Sequence, residues 1–476
     1  MKTAQKYELH ENRYFNPNPV VRKIAIELYQ KVKNLPLICP HGHVDPEILA
    51  KNRPFSNPTE LIVIPDHYIF RMLYSQGISL QSLGIPLKNK PPIETDYQKI
   101  WQTFADHFYL FAGSPVAAWL NCEMTQVFGI KLKLNSKNAM TIYDQIQQKL
   151  SSSEFLPRNL FDRFNIEILT TTDDPSDTLV HHREIQDSEW SGKVIPCFRP
   201  DGLINIQNKN WKKNIEELSR ISEIDIMGYS NFIEALEKRR IFFKHMGAVS
   251  TDQGVTIPFT HELSSIEAEA IFNRALRGEA SENDSRLFTA HMLMEMARMS
   301  IEDGLVMQIH AGVYRNHNPF IFEKFGEDKG CDIPLATEFT NNLRPLLNKY
   351  GNHPKFSLIV FTIDEATYSR ELAPLASHYP AMKLGPPWWF NDSIEGMIRY
   401  RQRITETAGF YNTVGFNDDT RAFPSIPARH DLCRRVDSDF LASLVARHII
   451  DMEEAHKINH ALAYDLAKKS HKLDKT

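Results

Sequence analysis

The hydrophobic positions of the chain fall into short apolar runs that end in polar, chemically loaded residues. In order these are Leu37–His43, Ile166–Asp173, Lys193–Asp201, Ile241–Asp252, Leu305–Gly312, Phe356–Thr362, Met382–Trp389 and Thr413–Asp419. Apolar runs of this length, bounded by polar residues, predict buried strands. Most are separated by stretches with apolar residues at helical spacing, such as Pro175–Asp187, Ile266–Arg277, Ser281–Gly304, Thr337–Tyr350 and Ser393–Ala408, several opening on Ser, Thr or Asp at a plausible N-cap. Eight strands alternating with helices, with polar residues at the carboxyl ends, predict an α/β fold, a (β/α)8 TIM-like barrel with its site on the C-terminal face. The runner-up, a doubly wound open sheet, lacks its usual nucleotide-binding marks: no G-x-G-x-x-G follows a run and no P-loop string occurs.

About 120 residues separate the first two runs, far more than one βα unit uses. Helical spacing recurs there in Tyr97–Leu110, Val116–Phe128 and Ala139–Leu150, which predicts a helical insertion between strands 1 and 2, overhanging the barrel mouth. Gly202–Arg240 reads as a smaller helical excursion and Asp437–Lys468 as a terminal helix pair. The expected organisation is therefore an N-terminal helix and first strand (1–43), the insertion (44–165), the rest of the barrel (166–436) and C-terminal helices (437–476).

Composition narrows the function classes. With 476 residues, 42% hydrophobic and 24% charged, the chain can bury a large core. A net charge of −4 without a basic block argues against nucleic acid and membrane surfaces as partners. The five cysteines, Cys39, Cys122, Cys197, Cys331 and Cys433, are scattered and include no C-x-x-C, so they read as reduced thiols of a cytoplasmic protein. The polar start Met1–Glu8 offers no apolar leader, and no stretch approaches a membrane span. The expected partner is a small molecule; oligomeric state is left open, with a homo-oligomer allowed.

The chemistry begins at His41-Gly42-His43. Residues i and i+2 leaving a strand point to one side, so both imidazoles can reach one divalent ion. His310 ends the fifth run, and Asp418 and Asp419 end the eighth, followed by Thr420 and Arg421. His41, His43, His310 and Asp419 make a mixed nitrogen and oxygen ligand set suited to Zn²⁺ or a similar ion.

The strings Thr170-Thr-Thr-Asp-Asp-Pro175, Phe198-Arg-Pro-Asp201, Ile309-His-Ala-Gly312, Arg315-Asn-His-Asn318, Trp388-Trp-Phe-Asn-Asp392 and Asp419-Thr-Arg-Ala-Phe423 resemble the uronate (glucuronate) isomerases, a branch of the amidohydrolase superfamily. The resemblance runs in order from the first strand to about Arg435. It implies an aldose–ketose isomerase that interconverts D-glucuronate and D-fructuronate, and D-galacturonate and D-tagaturonate, with one divalent ion, expected to be Zn²⁺. Such a 1,2-isomerisation needs a base, an acid and a positive centre near O1 and O2 of a cis-enediol. Asp419 can serve as ligand and base, and Arg421 can offset negative charge. The segment Asp66-His67-Tyr68 resembles the family's D-H-Y, which implies that His67 and Tyr68 reach the site and handle protons or position the sugar.

A uronate carboxylate suits a guanidinium fork, with Arg199 and Arg315 as candidates and Arg421 a third. Trp388 and Trp389 offer flat walls for a sugar face. Thr172 to Asp174 are candidates to orient ligands or to cap a helix. Asp45 departs from the pattern of many relatives and brings either an extra carboxylate near the ion or a helix cap. The alternative reading is a metal-dependent hydrolase or deaminase of the same superfamily; a two-metal hydrolase would need a bridging Lys or Glu on the fourth strand, where Lys244 is expected mid-strand.

Overall fold

The computed structural model describes residues 7–475, so most of the polar N-terminal stretch, residues 1–6, lies outside the described residues. Seven parallel strands carry the barrel: β1 Leu37–Cys39, β2 Ile166–Thr170, β3 Lys193–Ile195, β4 Ser250–Val255, β5 Val306–Ala311, and, after a small antiparallel pair β6 Val313–Tyr314 and β7 Ile333–Pro334, β8 Leu358–Thr362 and β9 Met382–Leu384. They pair as β1-β2-β3 and β4-β5-β8-β9. Phe198, just past β3, bridges Asp173 on one side and Thr251 on the other, which joins the two sheets. The eighth run contributes a parallel bridge from Thr413 to Leu384 rather than a full strand, and Gly415 at φ +76° turns the backbone there. A backbone bond from the His43 N–H to the Thr420 carbonyl, 3.1 Å, ties that run back to the first.

β5 and β8 are buried along their whole length and the other parallel strands over most or all of theirs, as a sheet covered by helices requires. Ile38, Ile168, Ile195 and Val249 pack at one end of the barrel against Ala467 and Leu473, so the C-terminal turns plug the mouth opposite the site. Among the described residues, the segment between β1 and β2 contains helices and no strand. Its helices Tyr97–Asp106 and Ala139–Leu150 share one core with Leu37, Leu169 and Phe416 of the barrel.

The fourth strand starts later than the apolar run Ile241–Asp252 predicts. Ile241-Phe242-Phe243 ends the helix Tyr229–His245, and β4 begins only at Ser250. Lys244 is therefore helical and exposed, donating to the Asp303 carbonyl, and is not mid-strand. Two helices start later than the pattern suggests. That after β2 opens at Val180 because Leu179 sits at φ +53°, its N–H held by Asp177. That before β8 opens at Arg344, since the N–H groups of Phe339 and Thr340 turn onto the Glu371 carboxylate.

Candidate active site

A cavity of about 1280 Å³ opens at the carboxyl ends of the strands, and every side chain singled out in the sequence for ligation, catalysis or sugar binding lines it. His41 and His43 leave β1 on the same side: their Nε2 atoms lie 3.6 and 3.2 Å from Oδ1 of Asp419. Ligand atoms of these three residues all fall within 4.8 Å of one another. The Gly42 carbonyl between the histidines accepts from Thr172 Oγ1 at 2.9 Å, so the second run braces the first.

Burial, only partly offset by Asp252, pushes the His41 pKa down to about 3, which keeps this imidazole neutral with a lone pair to give. Burial would raise Asp419, but the hydrogen bond from His43 and the neighbouring imidazoles outweigh it and hold the carboxylate well below its usual range. Two imidazole nitrogens and a carboxylate oxygen, with the buried His41 Nδ1 lacking a protein partner, fit a divalent metal ion.

His310 stacks between His41, ring centroids 4.6 Å apart, and Phe361, 4.1 Å. Its Nδ1 is fixed by Asp252 Oδ1 at 2.5 Å, and His41, Asp252 and His310 form a second group within ligand reach. Asp252 is fully buried on β4 and its other oxygen lies 3.0 Å from Arg199 Nη1. Burial would raise the Asp252 carboxyl, yet His310 and Arg199 hold it well below the usual range. Sequence reasoning missed this residue's role. The signal was its place at the end of the fourth run, obscured by the misplaced strand.

Arg199 also donates Nε to Asp201 Oδ2 at 2.8 Å. Burial opposes its charge, but the two carboxylates prevail and raise its pKa. The fork lies so close to β4 that a Cβ on Gly254 would sit 2.5 Å from Arg199 Nη2. Arg315 is half-exposed and pairs with Asp332 at 2.7 Å; Arg421, equally exposed, pairs with Asp328 at 2.8 Å.

Asp66 caps the helix His67–Ser75 by accepting the Tyr68 N–H, which turns both rings to the cavity. The rings stack at 4.8 Å, and Trp389 lies 5.2 Å from His67. Burial first, then the Arg421 charge, lowers His67 to about 3, while burial pushes the Tyr68 phenol well up. Trp388 meets His310 edge-on at 5.0 Å; the buried Trp389 Nε1 has no protein partner. Asp45 caps the helix Pro46–Lys51 through the Glu47 N–H and also lines the cavity. Asp174 holds a turn at Ser176 rather than a helix, and Asp173 accepts from Thr171 Oγ1.

The family profile described as glucuronate isomerase matches residues 13–470. The chain belongs to that family. A uronate isomerase of Nostoc punctiforme is 55% identical over 472 residues, which span 99% of this chain and all of the relative. The crystal structure of glucuronate isomerase from Caulobacter crescentus superposes with a TM-score of 0.97 at 51% identity, covering 98% of both chains. That of a Thermotoga maritima uronate isomerase does so at 0.91 and 26% identity, covering 98% of this chain and 99% of the other. The barrel with its inserted helices is thus the family's architecture. Among the described residues, no helix is long and apolar enough to cross a membrane.

Proposed function

We propose that this family member is an aldose–ketose isomerase for hexuronates, converting D-glucuronate to D-fructuronate and D-galacturonate to D-tagaturonate by 1,2-proton transfer through a cis-enediol. The observation that carries the reading is the convergence of His41, His43 and Asp419 at the mouth of a barrel that aligns end to end with uronate isomerases. These three residues, with His310 beside them, would hold one divalent ion. When bound, it supplies a positive centre that stabilises negative charge on O1 and O2 of the sugar.

The remaining work falls to the side chains. Both imidazoles contact Oδ1 of Asp419, which leaves Oδ2 to take the proton from C2 and return it to C1 on the same face. The Tyr68 hydroxyl, kept protonated by burial, and neutral His67 can donate to the enediol oxygens. Arg199 spends two of its nitrogens on Asp201 and Asp252, whereas Arg315 has one carboxylate partner and an outer edge facing the cavity. Arg315 is therefore assigned the uronate carboxylate, and Arg421, which lines the same cavity, the negative charge that develops on the sugar oxygens. Trp388 and the unpaired Trp389 N–H border the sugar. The two-metal hydrolase alternative lacks its bridging residue, since β4 contains neither Lys nor Glu. Five free cysteines, four of them buried, support a reducing compartment such as the cytoplasm.

The test is direct. Purified protein supplied with a divalent ion is incubated with D-glucuronate or D-galacturonate, and ketose is followed. Turnover of either uronate supports the assignment; no ketose from either contradicts it.

A further inference from the structure

Asp419 occupies a backbone conformation that non-glycine residues avoid, φ +40°. Such a conformation persists only where its flanks are over-determined, and both flanks are held. The Thr420 carbonyl accepts the His43 N–H. On the other side, the Asp418 carbonyl accepts Nη1 of Arg429 at 3.2 Å. Arg429 belongs to the long helix Ile426–Ala446 and is 2% exposed.

The same guanidinium meets three other segments. Nη1 also donates to Asp392 Oδ2 at 2.9 Å, at the end of the Trp388–Asp392 string. Nε donates to Ser425 Oγ at 3.2 Å, and that hydroxyl lies 3.1 Å from Thr420 Oγ1. The guanidinium carbon lies 3.7 Å from the ring centre of Trp119 in the insertion, and 5.5 Å from that of Tyr68. The next residue, His430, contacts the Asp418 carboxylate at 3.2 Å, so two successive helix residues grip Asp418 by its carbonyl and its side chain.

We infer that Arg429 is a positioning residue: it fixes the strained Asp419 backbone, and hence the aim of its carboxylate, relative to the Tyr68 ring carried by the insertion. It acts through these neighbours. A planar cation is required because one group must stack on Trp119 while its edge bonds Asp392 and the Asp418 carbonyl. Lysine has the charge but neither the plane nor the fork. The inference rests on the isomerase reading above, since it concerns the aim of that reaction's base.

The test compares wild type with Arg429→Lys and Arg429→Ala, measuring kcat and KM for D-glucuronate, bound divalent ion and Tm. The expected result for Arg429→Lys is a kcat lower by at least about tenfold, with KM, ion content and Tm near wild type. Added guanidinium ion, at concentrations far below those that unfold proteins, should restore kcat to a folded Arg429→Ala protein. Should Arg429→Ala not fold, the lysine variant decides alone. A lysine variant within about twofold of wild-type kcat overturns the inference, as does a loss of activity that only follows lost ion or lost folded protein. If wild type itself produces no ketose, it is the isomerase reading that fails, which is a separate outcome.

Discussion

Nε2 of His43 stands 3.2 Å from Oδ1 of Asp419, although the two residues come from the first and the last runs of the barrel. Between them the His43 N–H holds the Thr420 carbonyl, so side chain and backbone are registered together. About one divalent ion per chain is expected from this convergence. Elemental analysis after chelator-free purification checks it, and the His41→Ala/His43→Ala double variant should lose the ion.

Asp252 is expected to matter more than its absence from the cavity wall suggests. It fixes His310 by Nδ1 and faces the Arg199 fork from within β4. Asp252→Asn keeps the shape but removes the charge, and should reduce activity or ion affinity by about 10–100-fold. Steady-state kinetics beside metal titration would separate the two effects.

Much of the fold was legible because buried parallel strands are continuous apolar runs, and the His41-Gly42-His43 pair was legible because strand geometry alone puts the imidazoles together. Asp252 was hidden because Ile241-Phe242-Phe243, the apolar end of a helix, imitates a strand. Arg429 was hidden for a different reason. The helix Ile426–Ala446 buries Arg429, His430, Arg434, Arg435 and Asp437, and charged residues on a helix otherwise signal a solvent face. Ion pairs such as Arg401 with Asp437, 2.7 Å, are decided by tertiary packing and leave no local pattern.

Arg315 should carry the uronate carboxylate. Arg315→Met is expected to cost about 2–4 kcal/mol in kcat/KM, from loss of a charge-assisted pair. Arg199→Met, which strands the buried Asp252, should lower Tm as well as activity. Kinetics with both variants, read against their melting curves, distinguish substrate binding from scaffold damage.

A pH signature lies outside the ligand set. Burial first, then the charge of Asp66, raises Glu123 to about 8. An unfolded glutamate titrates near about 4.3, so the folded chain binds this proton more tightly. The associated stability is fully present below the unfolded value and is lost as pH rises through the folded one. Between pH 5 and 8 wild type should therefore lose stability that Glu123→Gln does not, on the order of 3–4 kcal/mol. Melting curves of both proteins across that range check it.

Proton transfer by a carboxylate beside the two histidines can be followed by NMR during isomerisation of D-glucuronate in D₂O. The cavity is open and His43 is a quarter exposed, so solvent can exchange with the proton held on Asp419. D-Fructuronate is expected to carry solvent deuterium at one stereochemical position of C1, with turnover abolished in Asp419→Asn. Ketose free of solvent deuterium, with the C2 hydrogen moved wholly to C1, would point to a hydride shift and contradict the role given to Asp419.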